Sequence, residues 1–101
     1  QDSSYYIPEQ FYKEGFIHCS KAKQIEKVAN TYYASFDKVY LLFIDDEKEK
    51  KFIRYENLMG GSELFPHLYR KLLKESIVKT VLLEKRATDA KFILNKDLLE
   101  I

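Results

Sequence analysis

Two histidines occupy the two most distinctive motifs of this 101-residue chain, and polar side chains flank both of them. His18 lies in GFIHCS and His67 lies in FPHLY. Side chains alternate along an extended strand, so His18 and Ser20 are predicted on one side of the first motif. The same alternation places His67 and Tyr69 on one side of the second. If both strands turn these sides toward one cleft, the four polar side chains converge there.

Several chemistries fit a histidine inside an apolar stretch, and the spacing disfavours two of them. A zinc site normally needs closely spaced Cys and His pairs, which are absent from this sequence. A nucleophilic Cys19 with His67 as its base is also disfavoured, because alternation directs Cys19 into the core, where burial raises the pKa of a thiol. Two interpretations stay open: a structural histidine bonded to backbone groups, and a histidine that binds a ligand.

A predicted helix beginning directly after Ser20 adds a feature that favours an anionic ligand. The first turn of a helix offers free backbone N–H groups and the positive end of its dipole, beside the His18 side chain. Lys21 and Lys23 fall in that first turn, where a bound anion would offset their repulsion from the dipole. The alternative interpretation is that both lysines are simply solvated.

Hydrophobic periodicity indicates one amphipathic helix and several strands that must position these groups. Ser20 is the predicted N-cap of a helix over 21–34, which has apolar residues at helical spacing. Residues 1–14 are predicted to be irregular, and the mixed charges of 45–51 to form a solvated loop. Pro66 indicates that FPHLY is an edge or irregular strand. The predicted strands are 15–19, 38–44 (central, and covered on both faces), 52–56, 65–69 and 76–84, while 92–101 fits either a strand or a helix.

Length, charge and cysteine content limit the classes of protein. With 101 residues, one modest core and a single domain are expected. The 17 basic residues nearly balance the 16 acidic ones and include only three arginines, which disfavours a nucleic-acid partner. A single cysteine favours a reducing, cytoplasmic location. The longest apolar run, VYLLFI, is far shorter than the ~20 residues that span a bilayer, so no membrane partner is expected.

The motifs EGFIHCS, RYEN and GGSELFPHLYRKLL resemble the bacterial domain of unknown function 952 family over roughly residues 5 to 84. The resemblance implies an α+β fold of small mixed, mainly antiparallel sheets, distantly related to the ADP-ribosyltransferase fold with its cleft for NAD. Family members usually begin with a further strand and helix. The expectation is therefore a single domain, residues 1–101, that lacks this strand and helix.

The favoured function is the binding of a nucleotide-like or phosphorylated small molecule, with NAD or ADP-ribose as examples, in a cleft lined by His18 and His67. Ser20 and Tyr69 would add hydrogen bonds to the ligand. In an enzymatic version, the resemblance implies ADP-ribosyl transfer, with His18 and Glu56 as catalytic candidates and Glu56 stabilising positive charge on a ribose. The alternative is a noncatalytic protein-interaction module, because 15 aromatic residues leave some exposed.

Overall fold

The computed structural model describes residues 4–57 and 61–95 of the chain. The fold is that of a small α+β protein with several small antiparallel sheets. The chain forms two compact units, the first from Gln1–Cys19 with Ile44–Ile77 and the second from Ser20–Phe43 with Val78–Ile101. The assignment of residues 1–101 to one domain stays a prediction.

The helices and strands of the described residues are short, and in the same residues three single 3-10 turns link some of them: Ala22–Gln24, Lys50–Phe52 and Lys74–Ser76. No helix in the described residues is long and apolar enough to cross a membrane. In chain order the elements are β1 (Tyr5–Tyr6), α1 (Glu9–Glu14), β2 (Ile17–His18), α2 (Ile25–Tyr32), β3 (Lys38–Ile44), α3 (Asp46–Glu49), β4 (Ile53–Glu56), β5 (Phe65–Leu68), β6 (Leu72–Leu73) and β7 (Ile77–Glu84).

The main sheet of the first unit has the order β2, β5, β4, and β5 runs antiparallel to both neighbours. The prediction that Pro66 marks an edge or irregular strand was wrong, since β5 is the central strand. The carbonyl of Pro66 accepts the backbone N–H of Cys19 at 3.0 Å, so the polar groups of Pro66 face β2. The strand β2 is only two residues long and ends at His18. The pair of Cys19 and Pro66 therefore has only this one backbone bond, since the reciprocal bond would need the N–H that proline lacks.

Helix α1 brings the chain into β2, although residues 1–14 were predicted to be irregular. Pro8 occupies the N-cap position, where the N–H that proline lacks needs no partner within the helix. The helix ends at Gly15, whose φ of 79° is left-handed and whose N–H donates to the carbonyl of Phe11 at 2.8 Å. Glycine adopts this conformation without the steric cost that a Cβ brings. The sharp end of α1 leaves Glu14 next to the start of β2.

The charged stretch 45–51, predicted to be a solvated loop, contains α3 and a buried ion pair. Asp45 caps α3 by accepting the N–H groups of Glu47 and Lys48. Glu49 is fully buried. Its carboxylate accepts bonds of 2.7 and 2.8 Å from Arg70 and of 2.6 Å from the hydroxyl of Ser76. A run of charges in the sequence cannot reveal which of its members meets a distant arginine.

The core of the second unit lies under α2, which buries Ala29 against Leu83 and Phe92. Residues 22–24 form a 3-10 turn, and α2 itself covers Ile25–Tyr32 within the predicted 21–34. The prediction that Ser20 caps this helix was wrong, because Lys21 is the N-cap of the 3-10 turn. The backbone N–H of Lys21 donates to Oε1 of Gln24 at 2.8 Å.

Strand β3 pairs with β7 in a two-stranded sheet. The expectation that β3 is a central strand covered on both faces was wrong, since Tyr40 is 69% exposed. The last described segment is fixed by Asn30, whose side chain donates to the carbonyl of Phe92 at 2.9 Å and accepts its N–H at 2.8 Å. Phe92 also forms an isolated antiparallel bridge with Lys85. The choice between strand and helix for 92–101 lies partly outside the described residues.

Candidate functional site

The two histidines are direct neighbours on the main sheet of the first unit. The register pairs His18 with His67 across β2 and β5, and His67 with Arg54 across β5 and β4. Because the backbone of Pro66 bonds to that of Cys19, the next residue, His67, turns its backbone toward β4. The His18 and His67 pair is thus the non-hydrogen-bonded kind, in which cross-strand side chains approach most closely. The two imidazole centroids are 5.2 Å apart.

Phe16 packs against all three polar rings of this face. Its ring centroid lies 5.0 Å from that of His18, 5.2 Å from that of His67 and 5.3 Å from that of Tyr69. The contacts with both imidazoles are edge-to-face, an arrangement that aromatic rings prefer. Phe16 therefore supports both histidines from one side. The term histidine face is used for Phe16, His18, Arg54, Glu56, His67 and Tyr69.

His18 has a carboxylate partner from the end of α1. Its Nε2 lies 3.4 Å from Oε2 and 3.3 Å from Oε1 of Glu14, four residues earlier in the chain. The side chain of His18 is 56% exposed, so this contact is open to water. A carboxylate oxygen accepts hydrogen bonds, so this contact favours the tautomer of His18 that has its proton on Nε2. In that tautomer the other ring nitrogen, Nδ1, is a hydrogen-bond acceptor.

His67 is the buried member of the pair, and its side chain is only 4% exposed. Its Nδ1 is buried without a hydrogen-bond partner and lies 3.9 Å from Oε1 of Glu56. Glu56 instead accepts the hydroxyl of Tyr69, a bond that raises the pKa of this tyrosine together with burial and the charge of Glu56. Leaving a buried polar atom without a hydrogen bond costs about 1–3 kcal/mol. A ligand group that bonded to Nδ1 of His67 would remove this cost.

Comparison with known proteins shows which family this chain belongs to. Residues 1–80 match the family described as protein of unknown function (DUF952). The chain belongs to this family. The resemblance seen in the sequence is thereby confirmed. A search of curated proteins found no match to the chain.

A solved structure shows that another protein shares the fold of this DUF952 chain. The crystal structure of protein CC0527 from Caulobacter crescentus is 28% identical and has a TM-score of 0.75. The match covers 92% of this chain and 80% of that one. A double mutant of the same protein gives a TM-score of 0.74. The names of the family and of protein CC0527 state no activity.

In this DUF952 protein, four predicted site residues come together on the histidine face: His18, His67, Tyr69 and Glu56. Ser20 is the first residue of the second unit, and its contact with a ligand stays a prediction. Whether the four residues bind a ligand stays a prediction.

Cys19, which alternation predicts on the opposite side of the strand from His18, has no contact of its thiol with the histidine face among the described hydrogen bonds. The side chain is partly buried, and its thiol donates to the carbonyl of Ile17 at 3.6 Å. Burial raises the pKa of the Cys19 thiol to about 11. A thiol with this pKa carries almost no thiolate at neutral pH and is a poor nucleophile.

Three members of the site were not singled out from the sequence: Glu14, Phe16 and Arg54. The alternation that grouped His18 with Ser20 also includes Phe16, and that of FIRYE includes Arg54. The four-residue spacing of Glu14 and His18 does not reveal their contact, because α1 ends at Glu14 and His18 lies on β2, beyond the turn at Gly15. In the described ranges, 4–57 and 61–95, no three His, Cys, Asp or Glu side chains are placed to hold a metal ion.

Proposed function

We propose that the histidine face binds a nucleotide-like or phosphorylated small molecule. The observation that carries this proposal is the row of His18, His67 and Arg54 across three adjacent strands. Guanidinium N–H groups, and imidazole N–H groups when both ring nitrogens hold a proton, are donors to phosphate oxygens. A row of three such side chains matches the several oxygens of one phosphate group.

Arg54 supplies the permanent positive charge of this face. Its guanidinium carbon lies 5.2 Å from the centroid of the Tyr69 ring, and the residue is exposed. Arginine that stacks on an aromatic ring keeps in-plane N–H groups for bidentate contacts with phosphate. Glu14 and Glu56 reduce the net charge, although each is already engaged with a donor on the same face. Affinity is therefore expected to come from directed hydrogen bonds more than from a general positive field.

The enzymatic form of this proposal is ADP-ribosyl transfer from NAD. The proposal includes a distant relationship between this fold and that of the ADP-ribosyltransferases. Its main catalytic candidate is Glu56. A carboxylate held by Tyr69 and placed 3.9 Å from His67 has the charge needed to stabilise a positively charged ribose. In this form His18 orients the substrate.

A thermal-shift screen with NAD, ADP-ribose and phosphorylated metabolites tests the binding proposal. A ligand with a Kd of 100 μM, added at 1 mM, stabilises the folded state by roughly 1.4 kcal/mol. For a domain of this size, that corresponds to an increase in Tm of roughly 6–11 °C. His18→Asn and Arg54→Gln should remove the increase, whereas Lys13→Gln, an exposed change on α1, should keep it. Binding by both variants as strong as that of the parent would place the ligand elsewhere.

A protein-interaction module remains the alternative, and the exposure of several aromatic rings favours it. Tyr12 and Tyr40 are each 69% exposed and Tyr32 is 65% exposed. Such rings are common anchors at protein interfaces. Two results together would favour this function. The ligand screen would show no increase in Tm, and a protein partner captured by the parent would no longer bind the Tyr12→Ala or Tyr40→Ala variant. A cytoplasmic location and the exclusion of nucleic-acid and membrane partners also stay predictions.

A further inference from the structure

We propose that His18 and His67 act as a general base and a general acid that hydrolyse a cyclic phosphodiester of the nucleoside 2′,3′-cyclic phosphate class. This inference rests on the proposed binding of a phosphorylated ligand at the histidine face.

The observation behind it is that a carboxylate lies near one nitrogen of each imidazole. Glu14 contacts Nε2 of His18 at 3.3 Å, while Glu56 lies nearest Nδ1 of His67 at 3.9 Å. A carboxylate on one imidazole nitrogen orients the ring and leaves the opposite nitrogen for the reacting atoms. The available nitrogens are thus Nδ1 of His18 and Nε2 of His67. The imidazole centroids are 5.2 Å apart, so both rings can reach one phosphoryl group.

The contacts also assign the two roles. In His18, the proton on Nε2 faces Glu14, so Nδ1 of the neutral ring carries the lone pair that a general base needs. In His67, the unpaired Nδ1 faces Glu56, and the protonated ring would carry a proton on both nitrogens. Protonated His67 can donate from Nε2 while Glu56 balances its charge. His18 is therefore the base and His67 the acid.

The reaction balances with water as the only co-reactant. Nδ1 of His18 takes a proton from water as its oxygen attacks phosphorus and forms the new P–O bond. The P–O bond to one ribose oxygen breaks, and Nε2 of His67 gives its proton to that oxygen. The product is a phosphate monoester, and proton exchange with solvent returns both imidazoles to their starting states.

Other side chains near the face support water as the nucleophile. The thiol of Cys19 points to Ile17 and is protonated, and the hydroxyl of Tyr69 is bonded to Glu56. Arg54, the cross-strand neighbour of His67, supplies positive charge for the non-bridging oxygens of the phosphate. A reaction that needs one base and one acid, with no protein nucleophile, fits these groups.

The test is to incubate the full chain with 2′,3′-cyclic AMP between pH 5 and 9 and to follow the phosphorus NMR signals of substrate and monoester. We expect hydrolysis well above the buffer rate, with a bell-shaped dependence on pH. His18→Gln and His67→Gln should each lower the rate about 100-fold or more, since general acid–base catalysis contributes 10²- to 10⁴-fold. The double variant should lose little beyond either single variant, because the two groups act in one step.

Lys13→Gln serves as the control and should retain the parent rate. If the buried His67 variant fails to fold by circular dichroism, the exposed His18 variant decides the question. Hydrolysis at the buffer rate by the parent, or full activity in His18→Gln, overturns the inference. A Tm increase with ADP-ribose but no hydrolysis overturns this inference alone, whereas absence of both overturns the binding proposal as well.

Discussion

Replacing Glu49 by alanine is expected to destabilise the protein by about 3 kcal/mol. Glu49 is fully buried and accepts two hydrogen bonds from Arg70 and one from Ser76. Removing one partner of a buried ion pair typically costs about 3–5 kcal/mol, because the other charge remains desolvated. The side chain of Arg70 is 29% exposed and can regain some water, so the lower end of that range applies. A total stability of about 5–15 kcal/mol makes this a large loss.

Thermal unfolding followed by circular dichroism is the assay, and Glu47→Ala is the matched control on the same helix. A loss of 3 kcal/mol corresponds to a decrease in Tm of roughly 12–24 °C in a domain of this size. Glu47 is exposed, so its replacement should change the stability by no more than about 0.5 kcal/mol. Equal effects of the two variants would show that the buried pair does not stabilise the fold.

The pH dependence of unfolding tests the same pair in the parent protein. The bonds from Arg70 and Ser76, with the charge of Arg70, lower the pKa of Glu49 in the folded state. The stabilisation is therefore fully present above the unfolded pKa of about 4.3 and is lost as the pH falls through the lower folded value. The acid loss of Tm should be smaller in Glu49→Gln, which has no carboxylate to protonate. An identical acid profile in that variant would contradict the assigned role.

The remaining predictions concern the histidine face and its surroundings. His18→Asn should leave the Tm within a few degrees of the parent value, because the side chain is 56% exposed, and a variant that unfolds at room temperature would return His18 to a structural role. Ser20→Ala should change the stability by less than about 0.5 kcal/mol, whereas Asp45→Ala should cost about 1 kcal/mol by urea unfolding, because Asp45 is the residue that caps a helix. An equal loss of stability in the two variants would show that Ser20 also caps a helix. Cys19 should react with a thiol reagent at pH 8 much more slowly than glutathione, because burial raises its pKa to about 11. Labelling as fast as that of glutathione would show that the thiol is accessible.

The sequence determined the side of each strand on which the candidate groups lie. Alternation is a property of the extended backbone itself, so it placed His18 apart from Cys19 and grouped His67 with Tyr69 before any strand pairing was known. The apolar spacing likewise located α2, since helical periodicity needs no tertiary partner. The family was also recognisable, because its motifs are short and contiguous.

Only the tertiary structure decided which groups meet. The pairing of His18 with His67 depends on a register between strands separated by nearly 50 residues, and a shift of one residue would move every side chain to the other face. The burial of Glu49 depends on Arg70, 21 residues away, and distinguishes Glu49 from the exposed charged residues around it. Local periodicity carries no information on such pairings, because their energy comes from contacts that exist only after the chain has closed on itself.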